Sequence, residues 1–257
     1  MAPFWNGSEL FPLALTSPPR DATGSGVIAM FVLAGSIGNT RRLIVGLGQS
    51  GLLLGPVRRG FVEPGARMRG ELRPLLICHY GRLLWEREMI AGCCGNLSTR
   101  AHDRGAIYIT PRSANKSRLH VRDIPKVALD ASTDELQRVS IEFRLHCACY
   151  HADDGVGAVI HTHAPALTAL SMNDMELAEI LPEAAQALGS IRRVPHKPAG
   201  SQALADGVAE AVAIGATLVL LEHHGVVSVG RDLPEAYDRM ELGEISAKTA
   251  LLAEISR

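Results

Sequence analysis

The sequence has no excess of charge of either sign, because 26 lysines and arginines face 27 aspartates and glutamates, for a net charge of −1. No stretch forms the basic stripe that nucleic-acid-binding proteins carry. We therefore expect no nucleic-acid partner. With 257 residues, of which 47% are hydrophobic, the composition instead predicts an ordinary globular core.

The five cysteines lack the paired C-x-x-C spacing of a structural zinc site. Their odd number and close pairs fit a reducing compartment, so we expect a cytoplasmic location. We interpret Cys147 and Cys149 as small buried hydrophobic residues within a helix.

Long hydrophobic runs are also missing from the sequence. The apolar run at residues 27–37 is too short to span a bilayer comfortably, and the region before it lacks the basic start of a secretory signal. We expect neither a membrane anchor nor a membrane partner.

Residues 1–69 contain no lysine and show no sustained helical or strand period. We interpret them as an N-terminal extension, poorly ordered or not native, that precedes one domain at residues 70–257. Regular patterning begins at Glu71, so Met68 is a candidate for the natural start of the protein.

Within this extension, a strand-like segment precedes Gly46, Gly48 and Gly51, which match the G-x-G-x-x-G of dinucleotide-binding folds. Gly55-Pro56 interrupts the helix that should follow, and no second βα unit appears with an acidic residue about 20 positions further on. The match is weak, and we do not favour a nicotinamide or flavin site.

The spacing of apolar residues beyond the extension predicts alternating helices and strands. The strands at residues 96–100 and 106–110 are close enough to form a hairpin, and Ser201 and Asp232 are expected helix N-caps. Helices are predicted at residues 71–90, 134–150, 164–172, 175–188, 201–215 and 232–255, and strands at residues 96–100, 106–110, 125–129, 191–194 and 217–221.

A short apolar strand ends in His161-Thr162-His163. Because successive side chains of a strand point to opposite faces, His161 and His163 share one face, about 7 Å apart. Burying both imidazoles without a shared partner would be costly. A divalent metal is the simplest such partner.

A second histidine pair, His223 and His224, follows the buried strand at residues 217–221 and precedes Gly225. The two side chains alternate in direction, so only one of them can join the first pair. Three imidazoles with a position left open for water or substrate are typical of a catalytic metal site. We interpret the isolated histidines as structural; they are His79, His102, His120, His151 and His196.

Two further positions leave alternatives open. Gly95 and Asn96 offer backbone N–H groups and an amide that suit an anion, although a glycine that serves only the hairpin entry is the simpler interpretation. Glu142 and His146 stand one helical turn apart. Glu142 beside a metal would be a candidate general acid/base, or else it is an exposed residue on the helix surface.

Five stretches between about Glu71 and Ser256 together resemble the class II aldolase/adducin family, typified by fuculose-phosphate aldolase. Their order and spacing make the resemblance specific. They are Gly95-Asn96-Leu97-Ser98-Thr99-Arg100, Ile109-Thr110-Pro111, Ser140-Ile141-Glu142-Phe143-Arg144-Leu145-His146, Gly157-Ala158-Val159-Ile160-His161-Thr162-His163-Ala164-Pro165 and His223-His224-Gly225-Val226.

The resemblance implies an α/β fold with three layers, α/β/α, and a mostly antiparallel central sheet, assembled as a homotetramer. It implies a metal-dependent lyase that cleaves a carbon–carbon bond in a small phosphorylated or carboxylated sugar-like substrate through a metal-stabilised enediolate. Dehydratase and decarboxylase activities are alternatives within the family. A non-catalytic, adducin-like interaction protein is another alternative.

The resemblance also implies roles for individual residues. Glu142 is the acid/base, and a divalent metal, with Zn²⁺ favoured over Mn²⁺, Fe²⁺ or Co²⁺, is bound by His161, His163 and His224. The residues that line the substrate site are Gly95, Asn96, Thr110, Arg112, Ser113 and Ser140.

The chain departs from the family pattern where the substrate's anionic group would be held. Cys93 replaces Thr or Ser, Arg112-Ser113 replaces Ser/Thr-Gly, and Ile141 replaces the second Ser of Ser-Ser-Glu. Arg112 can grip a phosphate or carboxylate bidentately in place of the lost hydroxyls, or it can be a solvated loop residue. The sequence leaves both interpretations open, and with them the identity of the substrate.

Overall fold

The computed structural model describes residues 28–37, 40–49, 66–131, 135–173, 177 and 181–256. The chain divides into two units, Met1–Phe61 and Val62–Arg257. Helix α1 (Ala66–Glu86) lies at the start of the second unit and begins four residues before the predicted domain start at residue 70. The interpretation of residues 1–69 as a poorly ordered or non-native extension stays a prediction.

An antiparallel hairpin forms in the first unit, from strands β1 (Ile28–Ile37) and β2 (Thr40–Gln49). The sequence pattern did not predict this hairpin, because glycines that obscure the side-chain pattern still contribute backbone hydrogen bonds to a ladder. Gly46 and Gly48 pair with β1 inside the strand and so do not form a strand-to-helix turn. Gly51 and Gly55-Pro56 lie outside the described residues.

The second unit is built on one seven-stranded sheet. Its strands are β3 (Asn96–Arg100), β4 (Ala106–Ile109), β5 (Lys126–Ala128), β6 (Ala158–Thr162), β7 (Ser190–Val194), β8 (Ala216–Leu221) and β9 (Gly225–Gly230). Their order is β5-β4-β3-β6-β9-β8-β7, and every neighbouring pair is antiparallel except β7 and β8. The expected mostly antiparallel sheet is confirmed.

Five more helices with described bounds pack against the sheet: α2 (Phe143–Ala152), α3 (Pro165–Leu170), α4 (Pro182–Leu188), α5 (Gln202–Ala213) and α6 (Leu233–Ile255). Short 3₁₀ helices lie at Lys116–Arg118, Val121–Asp123 and Glu135–Arg138. The predicted caps are confirmed, since Ser201 Oγ accepts the N–H of Leu204 and Asp232 Oδ1 accepts that of Glu235. None of the helices described is long and apolar enough to cross a membrane.

The sheet separates two apolar cores, because alternate residues of each strand face opposite sides. Leu218 of β8 belongs to the core shared with α1, α3 and α6, whereas its neighbour Val219 belongs to the core shared with α2 and α5. The three-layer α/β/α arrangement is therefore confirmed. Cys147 and Cys149 of α2 are free thiols buried in the second core, as predicted.

Several predicted boundaries are wrong. Helix α2 begins at Phe143 and not at residue 134, because residues 135–138 form a separate 3₁₀ helix. Helix α1 ends at Glu86 and not at residue 90, because Met89 and Ile90 leave the helix to enter the core. Strand β9 was not predicted, since its apolar run directly follows the second histidine pair without polar alternation.

Candidate metal centre and active site

Three histidines meet at the end of the central strand β6 of the sheet. Strand β6 carries His161 and leads into His163, and the turn between β8 and β9 carries His224. The ring centroids are 5.1 Å apart for His161 and His163, 4.9 Å for His161 and His224, and 5.3 Å for His163 and His224. Three potential ligand nitrogens, one from each ring, lie within 4.8 Å of one another, a spacing that suits one metal ion.

Gly225 makes this close approach of strands possible. A Cβ at this position would lie 2.3 Å from the carbonyl oxygen of Thr162 and 2.9 Å from Cδ2 of His163. The glycine after the second histidine pair therefore lets β9 pack against β6 at the histidines, where Thr162 pairs with Val226.

The turn selects one histidine of the second pair. His223 is exposed at φ +56°, and its ring lies 6.2 Å from that of His196. His224 faces the first pair instead. The sequence pattern alone left this choice open.

The hydrogen bonds around the histidines fit a metal. His161 Nδ1 lies 3.1 Å from the carbonyl oxygen of Val226, so Nδ1–H donates there and Nε2 keeps its lone pair. His224 Nδ1 is buried and has no hydrogen-bond partner among the described residues. Three imidazoles with unused nitrogens form the donor set that Zn²⁺ and similar ions prefer.

Burial keeps these imidazoles neutral. It lowers the pKa of His224 to about 4 and holds the pKa of His161 well below its usual value, with neighbouring imidazoles adding to both shifts. Burial also lowers the pKa of His163, and the charge of Lys116 contributes. All three are therefore ready to bind a cation at neutral pH without first losing a proton.

Glu142 lies at the N-cap of α2 with 3% of its surface exposed, so it is not a residue of the helix surface. Its Oε1 lies 3.8 Å from Nε2 of His224 and accepts the backbone N–H of Gly200 at 3.0 Å. Burial raises the pKa of Glu142, and the bond from Gly200 partly opposes that rise. A carboxyl group with a raised pKa beside a metal site is suited to general acid/base work.

Two of the predicted substrate-binding residues lie beside the histidines. Asn96 is the register partner of His161 across β3 and β6, so the two side chains share a face of the sheet. Gly95, at φ +69°, lies so close that a Cβ would be 2.9 Å from the carbonyl oxygen of His161. Its positive φ and this contact show that the backbone conformation also favours glycine here, whichever role Gly95 has toward an anion.

The other predicted substrate-binding residues lie further along the chain. Ser140 Oγ accepts the backbone N–H of Glu142 at 3.2 Å. Thr110 is fully buried, and its hydroxyl accepts the N–H of Leu97 at 3.2 Å. Arg112 and Ser113 are both exposed, and Arg112 Nε donates to the carbonyl oxygen of Val139 at 3.2 Å. Their roles toward a substrate stay predictions.

Sequence reasoning missed Lys116, which is 2% exposed. Its Nζ donates to the carbonyl oxygens of Cys93 at 2.7 Å and Ala114 at 2.8 Å, and burial lowers the pKa of Lys116 to about 8. Only its position four residues after Arg112, in the same polar loop, could have pointed to it. Gly200 was missed as well, because its contact with Glu142 spans 58 residues of sequence.

Comparison with known proteins gives a match between residues 76–251 and the family model described as Class II Aldolase and Adducin N-terminal domain. An L-fuculose phosphate aldolase of Methanococcus maripaludis is 35% identical over 163 residues, which cover 63% of this chain and 87% of that protein. A 3-oxo-tetronate 4-phosphate decarboxylase of Haemophilus influenzae is 30% identical over 178 residues, which cover 67% of this chain and 84% of that protein.

Comparison with solved structures also finds aldolases of this kind. The crystal structure of L-fuculose-1-phosphate aldolase from Thermus thermophilus superposes with a TM-score of 0.62 at 27% identity. The superposition covers 72% of this chain and 95% of that one.

Proposed function

The chain belongs to the class II aldolase and adducin family, and from this premise we propose that it is a metal-dependent lyase of carbohydrate metabolism. It cleaves a carbon–carbon bond in a small sugar-like substrate that carries a phosphate or carboxylate. The observation that carries the proposal is the buried carboxylate of Glu142, 3.8 Å from one of three clustered histidines. In a non-catalytic member of the family, a desolvated carboxyl group beside these histidines would serve no chemical role.

His161, His163 and His224 would hold the divalent metal, with Zn²⁺ favoured over Mn²⁺, Fe²⁺ or Co²⁺ for three imidazole ligands. A bound divalent metal would supply Lewis-acid stabilisation of negative charge on the substrate oxygens. Glu142 takes and returns the proton, since its carboxyl is buried and lies against His224. No lysine Schiff base is required.

The anionic end of the substrate would be held by Gly95, Asn96 and Ser140, with Thr110, Arg112 and Ser113 in the adjoining loop. The names of the relatives favour a phosphate over a carboxylate, because both the aldolase and the decarboxylase are named for phosphorylated sugar derivatives. Arg112 adds a guanidinium to a loop where relatives have a smaller side chain.

The test is an assay of metal-loaded protein with L-fuculose 1-phosphate and other ketose 1-phosphates, in which release of an aldehyde is followed. We expect about one Zn²⁺ per chain by elemental analysis, and loss of both metal and turnover in His161→Ala. Absence of stoichiometric transition metal, together with unchanged stability of His161→Ala, would overturn the proposal.

A second candidate is a decarboxylase of a 3-oxo acid phosphate, favoured by the similarity to the Haemophilus influenzae protein. The same charge stabilisation would serve loss of CO₂ from such an acid. Release of CO₂ from a 3-oxo-tetronate 4-phosphate, without aldehyde release from any ketose phosphate, would favour this candidate over the aldolase.

We extend the proposal to a homotetramer in the cytoplasm. Helix α1 leaves Leu72, Leu75 and Trp85 more than two-fifths exposed, an apolar surface that a second copy could cover. All five cysteines are free thiols, which suits a reducing compartment. Sedimentation equilibrium of the full chain tests the tetramer, and a monomer at micromolar concentration would contradict it.

A further inference from the structure

A chain of four buried polar groups runs from the candidate site into the second core. Asn96 Oδ1 lies 2.5 Å from Nε2 of His146, His146 Nδ1 lies 2.6 Å from Oγ of Ser98, and Ser98 Oγ lies 2.7 Å from the hydroxyl of Tyr150. His146 and Ser98 are fully buried, Tyr150 is 1% exposed, and Asn96 is 5% exposed. Such a chain has only a few consistent arrangements of its protons.

The Tyr150 end of this series of hydrogen bonds decides where the protons lie. Ser98 is the only hydrogen-bond partner of the Tyr150 hydroxyl among the described residues. If Tyr150 accepted a proton from Ser98, its own proton would be buried without an acceptor, which is unfavourable. Tyr150 therefore donates to Ser98, and burial raises the pKa of Tyr150, so the hydroxyl keeps its proton.

The positions of the Ser98 and His146 protons follow from the donation by Tyr150. The Ser98 hydroxyl has one proton, and with Tyr150 acting as a donor the acceptor left for it among the described residues is Nδ1 of His146. The imidazole then carries its own proton on Nε2 and donates it to Asn96 Oδ1. Burial lowers the pKa of His146 to about 3, so the ring is neutral. A doubly protonated ring would still donate from Nε2, so the direction at Asn96 does not depend on the charge.

Asn96 is thereby oriented. With Oδ1 bonded to His146, the NH₂ group is the part of the amide left to face the site, and no hydrogen bond to it is present among the described residues. Asn96 shares a sheet face with His161, its register partner. A reversed proton order would turn an acceptor oxygen toward the substrate instead.

We propose that His146 is a positioning residue, which with Ser98 and Tyr150 behind it locks the Asn96 amide so that this side chain presents only its N–H donors to the site and selects an anionic oxygen group. This inference rests on the proposed function, in which Asn96 lines the substrate site. It adds the reason why that subsite would take an anion: the amide cannot flip to present its oxygen.

A spectroscopic experiment on the wild-type, metal-loaded full chain tests the proton order. In ¹⁵N spectra of histidine-labelled protein, the resonance that disappears in His146→Gln should be a neutral imidazole with its proton on Nε2, unchanged between pH 5 and pH 8. A neutral ring with its proton on Nδ1 would overturn the proposal, because Nε2 would then accept from Asn96.

A binding experiment tests the consequence, with inorganic phosphate as the probe. In Zn²⁺-loaded protein, His146→Phe should weaken phosphate binding about 10-fold, the loss of one well-oriented hydrogen bond to a charged group. His146→Gln can donate to Asn96 and accept from Ser98, so it should recover to within about 3-fold of wild type. His151→Phe, an exposed histidine on the same helix, is the matched control and should bind phosphate as wild type does.

A double-mutant cycle separates positioning from general support of the fold. In an Asn96→Ala background, His146→Phe should weaken phosphate binding no further, because its effect acts through Asn96. An equal loss in both backgrounds, or unchanged binding in His146→Phe that retains its metal, would overturn the proposal. If His146→Phe does not fold, the Gln variant and the wild-type spectrum still decide the outcome.

The readouts separate this proposal from the proposed function. Phosphate binding and the imidazole tautomer are measured without turnover, so they can fail while the lyase assay succeeds, and the reverse. A chelator-treated sample titrated in parallel separates phosphate held by the metal from phosphate held at Asn96.

Discussion

Gly200 donates its backbone N–H to Oε1 of Glu142 at 3.0 Å, from the loop between β7 and α5. Gly200 has φ +71°, a conformation that favours glycine, and a Cβ there would lie 3.2 Å from the carbonyl oxygen of Ile141. The loop therefore holds the carboxylate beside His224 through a residue whose backbone conformation and close approach to Ile141 favour glycine.

Gly200→Ala should lower turnover about 10-fold while the protein keeps its metal. The added Cβ strains the loop, so the backbone N–H should lose its hydrogen bond to Glu142 and no longer hold the carboxylate in place. Steady-state kinetics and elemental analysis check the two halves of this prediction. Gly215→Ala is the matched control: Gly215 has φ +87° with no atom within 4 Å of an added Cβ, so it carries backbone strain away from the site. Equal turnover in the two variants would contradict the prediction.

Glu142→Gln should lower turnover by about 100-fold or more, since an amide cannot exchange a proton as a general acid/base does. The metal content should stay at the wild-type value, because the three histidines are intact. Glu210→Gln, an exposed position on α5, is the control. Near-normal turnover in Glu142→Gln would show that another group moves the proton.

The same substitution should change stability in a pH-dependent way. Burial raises the pKa of Glu142, so the folded protein binds this proton more tightly than the unfolded chain does. Stability therefore falls as pH rises from the ordinary glutamate pKa through the raised pKa of Glu142. Above the raised pKa, the full cost of burying the charged carboxylate applies. Glu142→Gln removes the penalty.

In chelator-treated protein, Glu142→Gln should thus raise the Tm at pH 7 by about 2–4 °C for each 1 kcal/mol of relieved desolvation. Near pH 4, below the ordinary value of about 4.3, the two proteins should unfold at the same temperature. Calorimetry at the two pH values measures the difference. A Tm that is higher at pH 4 and unchanged at pH 7 would give the opposite sign and contradict the burial argument.

Gly225→Ala should weaken metal binding by about 10- to 100-fold, the usual cost of disturbing the support of a ligand. The new Cβ would lie 2.3 Å from the Thr162 oxygen and 2.9 Å from the His163 ring, so β9 must move away from β6. Competitive titration with a chelator measures the affinity. Gly105→Ala adds a Cβ with no atom within 4 Å and should bind Zn²⁺ as wild type does, and the same result for Gly225→Ala would rule out the packing argument.

The histidine cluster was the most predictable part of the candidate site from sequence, because strand geometry is local. The alternation along β6 is enough to put His161 and His163 on one face. The local pattern left the choice between His223 and His224 open, and the family resemblance implied His224. The physical reason for the choice lies in a residue at φ +56° and in strand β9, whose apolar run carries no alternation.

The environment of Glu142 was not predictable, for a physical reason. A helical period from residue 134 suggested an exposed residue, whereas the helix begins at Phe143 and a loop 58 residues away covers the carboxylate. Burial that arises from contacts so distant in sequence leaves no mark on the local pattern. The same holds for His146 of helix α2, whose partners Asn96 and Ser98 lie on strand β3.

Arg112 carries the remaining prediction, because the family pattern described in the sequence analysis has Ser or Thr at this position. Its Nε donates to the carbonyl oxygen of Val139, which ties the side chain to the segment leading to Ser140 and Glu142. A guanidinium is a permanently charged, planar group whose shape suits a phosphate or carboxylate. The loop can therefore offer a charge to an anion held near Ser140.

Arg112→Ala should raise KM for a ketose phosphate about 10-fold with little change in kcat, the effect expected when one charge-assisted contact to a non-reacting group is lost. Arg122→Ala, an exposed arginine ten residues further along, controls for the change in surface charge and should leave KM unchanged. Steady-state kinetics at two salt concentrations separate a specific contact from a general electrostatic effect, which salt screens. An unchanged KM across phosphorylated and carboxylated substrates would remove Arg112 from the site and leave it a solvated loop residue.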